Sequence, residues 1–242
     1  MNTKYWWIII TYIVMQISSL VGVPLLLKTG LYITYTRNMQ IEMASAHWAI
    51  ISFVVALIIT LLLLRHDDDP LARGKMGLMY TILWMFLGVF LAMFAQAIAA
   101  NIEMRLFGIN PGSENTQRLV DIAKVAPLFI LVTSIFGPIL EEIVFRKIFF
   151  GSLYKRFNFF VAAIISSLIF ATVHFDFSHI LIYTSMGIVF SFLYVHTKRI
   201  IVPIVAHVMM NTIVILVNLG LSNNMDKIMR QAENLHTIIG GF

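Results

Sequence analysis

Apolar residues fall into repeated runs of about 20, the length an α-helix needs to cross ~30 Å of hydrocarbon. The runs cover roughly 5–27, 45–64, 77–100, 118–136, 138–155, 158–175, 178–196 and 200–219. Helices are expected, because an open strand edge leaves backbone groups unsatisfied in lipid. The pattern predicts an all-α, polytopic transmembrane helical bundle of about seven to eight spans. The first run is too long for a signal-peptide core and is kept as a span. From 118 to 155 the apolar pattern exceeds one span at ~1.5 Å per residue. Gly137-Pro138 supplies the break, since proline removes a backbone donor and suits a first helical turn. A new helix is therefore expected at Pro138, with Glu141 and Glu142 in its first turns, where the helix dipole favours their charge.

Polar stretches punctuate the runs. Arg65-His66-Asp67-Asp68-Asp69-Pro70 reads as a solvated linker rather than a metal site, and Asn110-Pro111-Gly112-Ser113-Glu114-Asn115 as a turn leading into an amphipathic segment near Thr116. No internal repeat or low-complexity block is present. The organisation expected is one membrane domain with N-terminal helices in 1–117, a helical core in 118–219 and a polar tail in 220–242.

Composition agrees with a membrane protein: 60% of the 242 residues are hydrophobic and 12% charged, against roughly 25% charged in globular domains. The net charge of +5 is spread between the runs, so it reads as a topology signal and not as a nucleic-acid surface. If the spans alternate simply, Lys147, Lys155, Arg156, Lys198 and Arg199 share one side, which the positive-inside rule places in the cytoplasm. The absence of Cys excludes disulfides, thiolate metal sites and a cysteine nucleophile. No glycine-rich phosphate loop implies a nucleotide. Met and Phe scatter over every run, as lipid contact and helix packing require. Tyr5, Trp6 and Trp7 suit an interfacial belt, and Trp48 and Trp84 either join it or pack internally.

Ionisable residues inside a span cost at least ~2.5 kcal/mol each and are functional candidates by default. Three groups qualify: Glu141-Glu142-Ile143-Val144-Phe145-Arg146, Phe170-Ala171-Thr172-Val173-His174 and His207-Val208-Met209-Met210-Asn211. Glu142 and Arg146 sit one helical turn apart and can pair, while Glu141 points elsewhere and stays available as a general base. His207 and Asn211 share a helix face and can either donate to an oxyanion or bond neighbouring helices. Together the groups supply what water activation and oxyanion stabilisation need. A straight stack nevertheless puts the two histidines at different depths, because His174 lies 18 positions after Arg156 and His207 eight after Arg199.

The ordered set Glu-Glu-x-x-Phe-Arg, Phe-x-x-x-His and His-x-x-x-Asn, over about 138–215, resembles the CAAX prenyl endopeptidases and bacteriocin-processing proteins, also called Abi proteins. The resemblance implies an intramembrane endopeptidase that forms no covalent acyl-enzyme. Glu141 and His174 would activate water, His207 and Asn211 would form the oxyanion hole, and Glu142 and Arg146 would support them. It implies no required cofactor. If zinc is bound, Glu141, His174 and His207 are the ligands to test, although no His-Glu-x-x-His motif is present. The family often carries Gly after the Arg, where this chain has Lys147. The expected partners are the lipid bilayer and a membrane-associated peptide or protein substrate, such as a pheromone or bacteriocin precursor, in a bacterial plasma membrane. The competing readings are a non-cleaving scaffold of the same family and a proton-coupled transporter, the latter without an inverted repeat to support it. The oligomeric state is not legible.

Overall fold

The computed structural model describes residues 2–65, 67, 74–110 and 112–239, and among them there are helices and turns but no strand. Helices α1 (Thr3–Ile17) and α2 (Ser19–Lys28) form one broken segment bent by 44°. Asn2 starts α1 by accepting from the Lys4 amide. The bend lays Gly22 against the Trp48 indole, where no Cβ has room, and Trp48 Nε1 donates to Ser18 Oγ at 2.9 Å. Trp48 therefore packs internally, while Trp6 and Trp7 remain exposed on α1.

Helices α3 (Arg37–Leu64) and α4 (Leu78–Phe107) follow, and α4 closes on Gly108, whose φ of 67° is left-handed. Asp68, Asp69 and Pro70 lie outside the described residues, as does Pro111. Asp67 is not solvated as expected. Its side chain is 6% exposed and pairs with Lys147 Nζ at 3.0 Å, while Tyr5 Oη donates to it at 2.9 Å.

The largest departure from expectation lies between 118 and 155. Helix α5 (Glu114–Val125) is amphipathic, capped by Ser113 Oγ, and ends at Ala126. The break expected at Gly137-Pro138 falls instead at Ala126-Pro127, where Ala126, at φ −133° and ψ 80°, has left the helical region that a following proline disfavours. From there one rod runs without interruption: α6 (Phe129–Leu131), a π-turn segment π1 (Val132–Phe136), α7 (Gly137–Glu141), π2 (Glu142–Phe150) and α8 (Gly151–Tyr154). Pro138 has no N–H to give residue 134 and its ring crowds that carbonyl, so the preceding turn widens instead of breaking.

Helices α9 (Phe159–Thr172), α10 (Ile180–Thr197, after a tight turn at Phe177–His179) and α11 (Ile201–Ile239) complete the bundle. Helix α11 continues through position 219 into the polar tail. Among the described residues, four helices can cross a membrane by length and composition, or five with the bent α1–α2 pair, fewer than the apolar runs suggested. The rod is divided by π-turns, and α9 has only 14 residues. Helix α10 lies at the centre, packed against α4 and α9. Gly187 admits the Ser167 side chain, and Gly88 admits Leu193 and Ala206.

Hydrogen bonds identify the two ends of the bundle. At one, Arg199 Nε donates to the Met76 carbonyl at 2.9 Å, and the 65–77 connection carries the Asp67–Lys147 pair. At the other, Ser113 Oγ donates to Asp176 Oδ2 at 2.6 Å.

Candidate functional site

Residues from seven helices line one cavity of about 730 Å³ inside the bundle. Tyr12 and Gln16 come from α1, Glu141 from α7, Phe170 and His174 from the end of α9, Tyr183 from α10, and His207 and Asn211 from α11; α3 and α5 close the sides. The sequence-predicted residues Glu141, His174, His207 and Asn211 all face this space. Glu142 and Arg146 lie behind it, fully buried.

The rod sends its adjacent carboxylates in different directions. Glu141 is 16% exposed and makes no hydrogen bond to a described residue; His207 Nε2 lies 3.8 Å from its Oε2. Gly137, one turn earlier, admits the Val132 carbonyl oxygen, which would lie 3.0 Å from a Cβ there, and a Cβ would only touch Glu141 Oε1, at 3.8 Å. Glu142 Oε1 receives His207 Nδ1 at 2.9 Å, and Oε2 lies 3.2 Å from Arg146 Nε. That last contact is close enough for an ion pair but is not aligned as a hydrogen bond. The Arg146 guanidinium is held further by ring faces, 4.2 Å from the Phe170 centroid and 5.4 Å from that of Phe190.

Each imidazole is oriented by its surroundings. His174 Nδ1 lies 2.8 Å from the Phe170 carbonyl, which can only accept, so Nδ1 carries the hydrogen and Nε2 keeps its lone pair in the neutral ring. Tyr183 stacks on that ring at 4.2 Å. His207 stacks on Phe190 at 4.7 Å. The depth mismatch expected for the two histidines does not occur: both flank Phe170, at centroid distances of 4.6 and 6.1 Å. Counting from the flanking basic residues assumes level, untilted helix starts, and the bundle does not have them. Asn211 Nδ2 donates to the Thr133 carbonyl at 3.2 Å, in the widened turn π1.

The arrangement places an open carboxylate, a neutral-ring acceptor and two potential N–H donors around one space. A zinc site needs three or four ligands converging at about 2.0–2.2 Å. Glu141, His174 and His207 share the cavity, but among the described residues no three His, Asp or Glu side chains are grouped to hold an ion.

Sequence reasoning passed over Glu103. It is 3% exposed, its Oε1 accepts from the Leu181 and Ile182 amides at 3.0 and 3.2 Å, and its Oε2 binds His179 Nδ1 at 2.9 Å. The signal was available, because Glu103 is an isolated acid near the end of a long apolar helix. Tyr183 was also missed, and nothing in its sequence position marks it.

The fold and cavity define an integral membrane protein, all helical, with a carboxylate–imidazole centre buried among its helices. Residues 123–213 match the family model described as type II CAAX prenyl endopeptidase Rce1-like. The chain is 47% identical to "Putative membrane peptidase YdiL" of Bacillus subtilis, covering 100% of this chain and 99% of that protein. It is 33% identical to "Membrane-embedded CAAX protease MroQ" of Staphylococcus aureus, covering 98% of each. No solved structure is a significant match. The chain belongs to the Rce1-like CAAX protease family of membrane peptidases.

Proposed function

We propose that this peptidase hydrolyses a peptide bond in a membrane-associated peptide or protein by direct water activation, with no resident metal. The observation carrying the reading is the convergence of Glu141, His174, His207 and Asn211 on one intrabundle cavity. A water in that cavity directs one hydrogen to Glu141 and the other to His174 Nε2. As its oxygen attacks the carbonyl carbon, Glu141 takes a proton and the carbonyl electron pair moves onto oxygen. Asn211 Nδ2–H and His207 Nε2–H hydrogen-bond to that oxyanion. The proton on Glu141 then passes to the leaving nitrogen, the C–N bond breaks, and a carboxylic acid and an amine leave.

His207 donates from both ring nitrogens in this scheme. The buried cluster then opposes two carboxylates, Glu141 and Glu142, with two cations, Arg146 and His207, and is neutral overall. The cavity's many aromatic and aliphatic side chains suit an apolar peptide segment such as a pheromone or bacteriocin precursor. The bacterial relatives support a location in the bacterial plasma membrane.

The test uses wild type and Glu141→Gln in nanodiscs, a quenched peptide library and mass spectrometry, with and without chelator. Cleavage is expected from the wild type alone and is expected to survive chelation. A variant that cleaves at the wild-type rate removes Glu141 as the base, and chelator-sensitive cleavage refutes the metal-free scheme.

A further inference from the structure

A second cavity, of about 330 Å³, lies beside the first between α4, α5, α10 and α11. Its character differs: Gln96, Glu103, Gln117, His179 and Asn218 give it polar walls, and the exposed Asn110 and Gln117 stand at its rim, at the end marked by the 108–113 loop. Five residues, Thr116, Tyr183, Met186, Asn211 and Val214, line both spaces, so one layer of side chains separates them. Three of the five carry hydroxyl or amide groups able to pass a hydrogen bond through the wall.

Hydrolysis consumes one water per turnover, and the hydrocarbon around the bundle supplies none. The larger cavity has mainly apolar walls, and a substrate seated in it displaces whatever water it holds. Replenishment needs a route that the peptide does not occupy. We propose that the smaller cavity is the water inlet of the hydrolytic site, delivering water past Tyr183 and Asn211 from the aqueous end of the bundle. The proposal rests on the peptidase mechanism above. Glu103 and His179 hold the inlet's wall polar and fixed near its aqueous end, because their mutual bond and the two α10 amides keep the helix start in place.

The native chain has no cysteine, so single cysteines report cleanly. Ala100→Cys and, independently, Gln96→Cys place a thiol on the inlet wall, and Phe90→Cys places one on the exposed lipid face of α4. In nanodiscs a charged, membrane-impermeant thiosulfonate should modify both inlet thiols at least about tenfold faster than Phe90→Cys, since only a thiol that meets water forms thiolate. Modification should lower kcat about fivefold or more with KM unchanged, the signature of impaired turnover and not of lost substrate binding. A small methylthio adduct should cost less than a bulky one. Inlet thiols no more reactive than Phe90→Cys overturn the proposal, as do fully labelled proteins with undiminished kcat. Failure of the peptidase mechanism is separately visible, as retained cleavage by Glu141→Gln, and leaves the labelling rates to be judged alone.

Discussion

The molecule buries two carboxylate–imidazole groups, one at the end of the bundle and one at its centre, and they are built for opposite purposes. Both oxygens of Glu103 are occupied, by two backbone amides and by His179. Glu142 is likewise consumed, by His207 and Arg146. Glu141, its immediate neighbour, faces a cavity with no hydrogen bond to a described residue. Residue type is the same in all three, so lone-pair occupancy distinguishes a carboxylate that holds helices together from one free to accept a proton.

The sharpest break of this comparison is isosteric. Glu141→Gln should lower cleavage by about 10²–10⁴-fold, the usual worth of a general base, with an unchanged melting temperature. Glu103→Gln keeps an oxygen for the Leu181 and Ile182 amides, so its cleavage rate should stay within about twofold. Initial rates on one peptide, followed by mass spectrometry, compare the two directly. Equal losses would show that both acids act in chemistry or that neither does.

Arg146→Ala exchanges the roles of stability and activity. It leaves Glu142 buried without its guanidinium partner, at a cost of about 3–5 kcal/mol. Unfolding in detergent should show a large drop in the midpoint, and cleavage should fall because His207 then loses its fixed partner. A stability change below about 1 kcal/mol would mean that neither the Glu142 ion pair nor the two aromatic contacts of the guanidinium contributes much to the fold.

Glu103→Ala comes next, at about 3 kcal/mol, the upper range for buried donors left without an acceptor. The α10 amides lose their cap and His179 its partner, so the loss should appear in unfolding. A variant as stable as wild type would show that water replaces the carboxylate at this end of the bundle.

Much of the site was legible because intramembrane charge is expensive: the positions of Glu141, His174, His207 and Asn211 followed from polar groups in apolar runs, and the structure brings them to one cavity. The helical class was equally legible from run length. What misled was proline. Two prolines, Pro127 and Pro138, flank the first turns of the rod, and sequence cannot say which one ends a helix. That depends on whether the turn before it can widen, and at Pro138 it did. Asp67 was illegible for a different reason, since its partner Lys147 lies far away in the chain, and Tyr183 because its stacking on His174 depends on the tight turn between α9 and α10.

The smallest effect concerns the position where the family often has glycine. Lys147 reaches back to Asp67, and both side chains are under a tenth exposed, yet the pair sits at the end of the bundle where water is near. Lys147→Met keeps the apolar stem and removes the ammonium. The expected cost is about 1–2 kcal/mol, between the exposed and buried limits for ion pairs. Because water and salt screen this end, the difference from wild type should shrink at high ionic strength, whereas the Arg146→Ala difference should not. Unfolding both variants at low and high salt checks this. A Lys147→Met cost that equals the Arg146→Ala cost and ignores salt would place Asp67 with Glu142, as a carboxylate cut off from water, and would remove the gradient from wet end to dry centre on which the comparison depends.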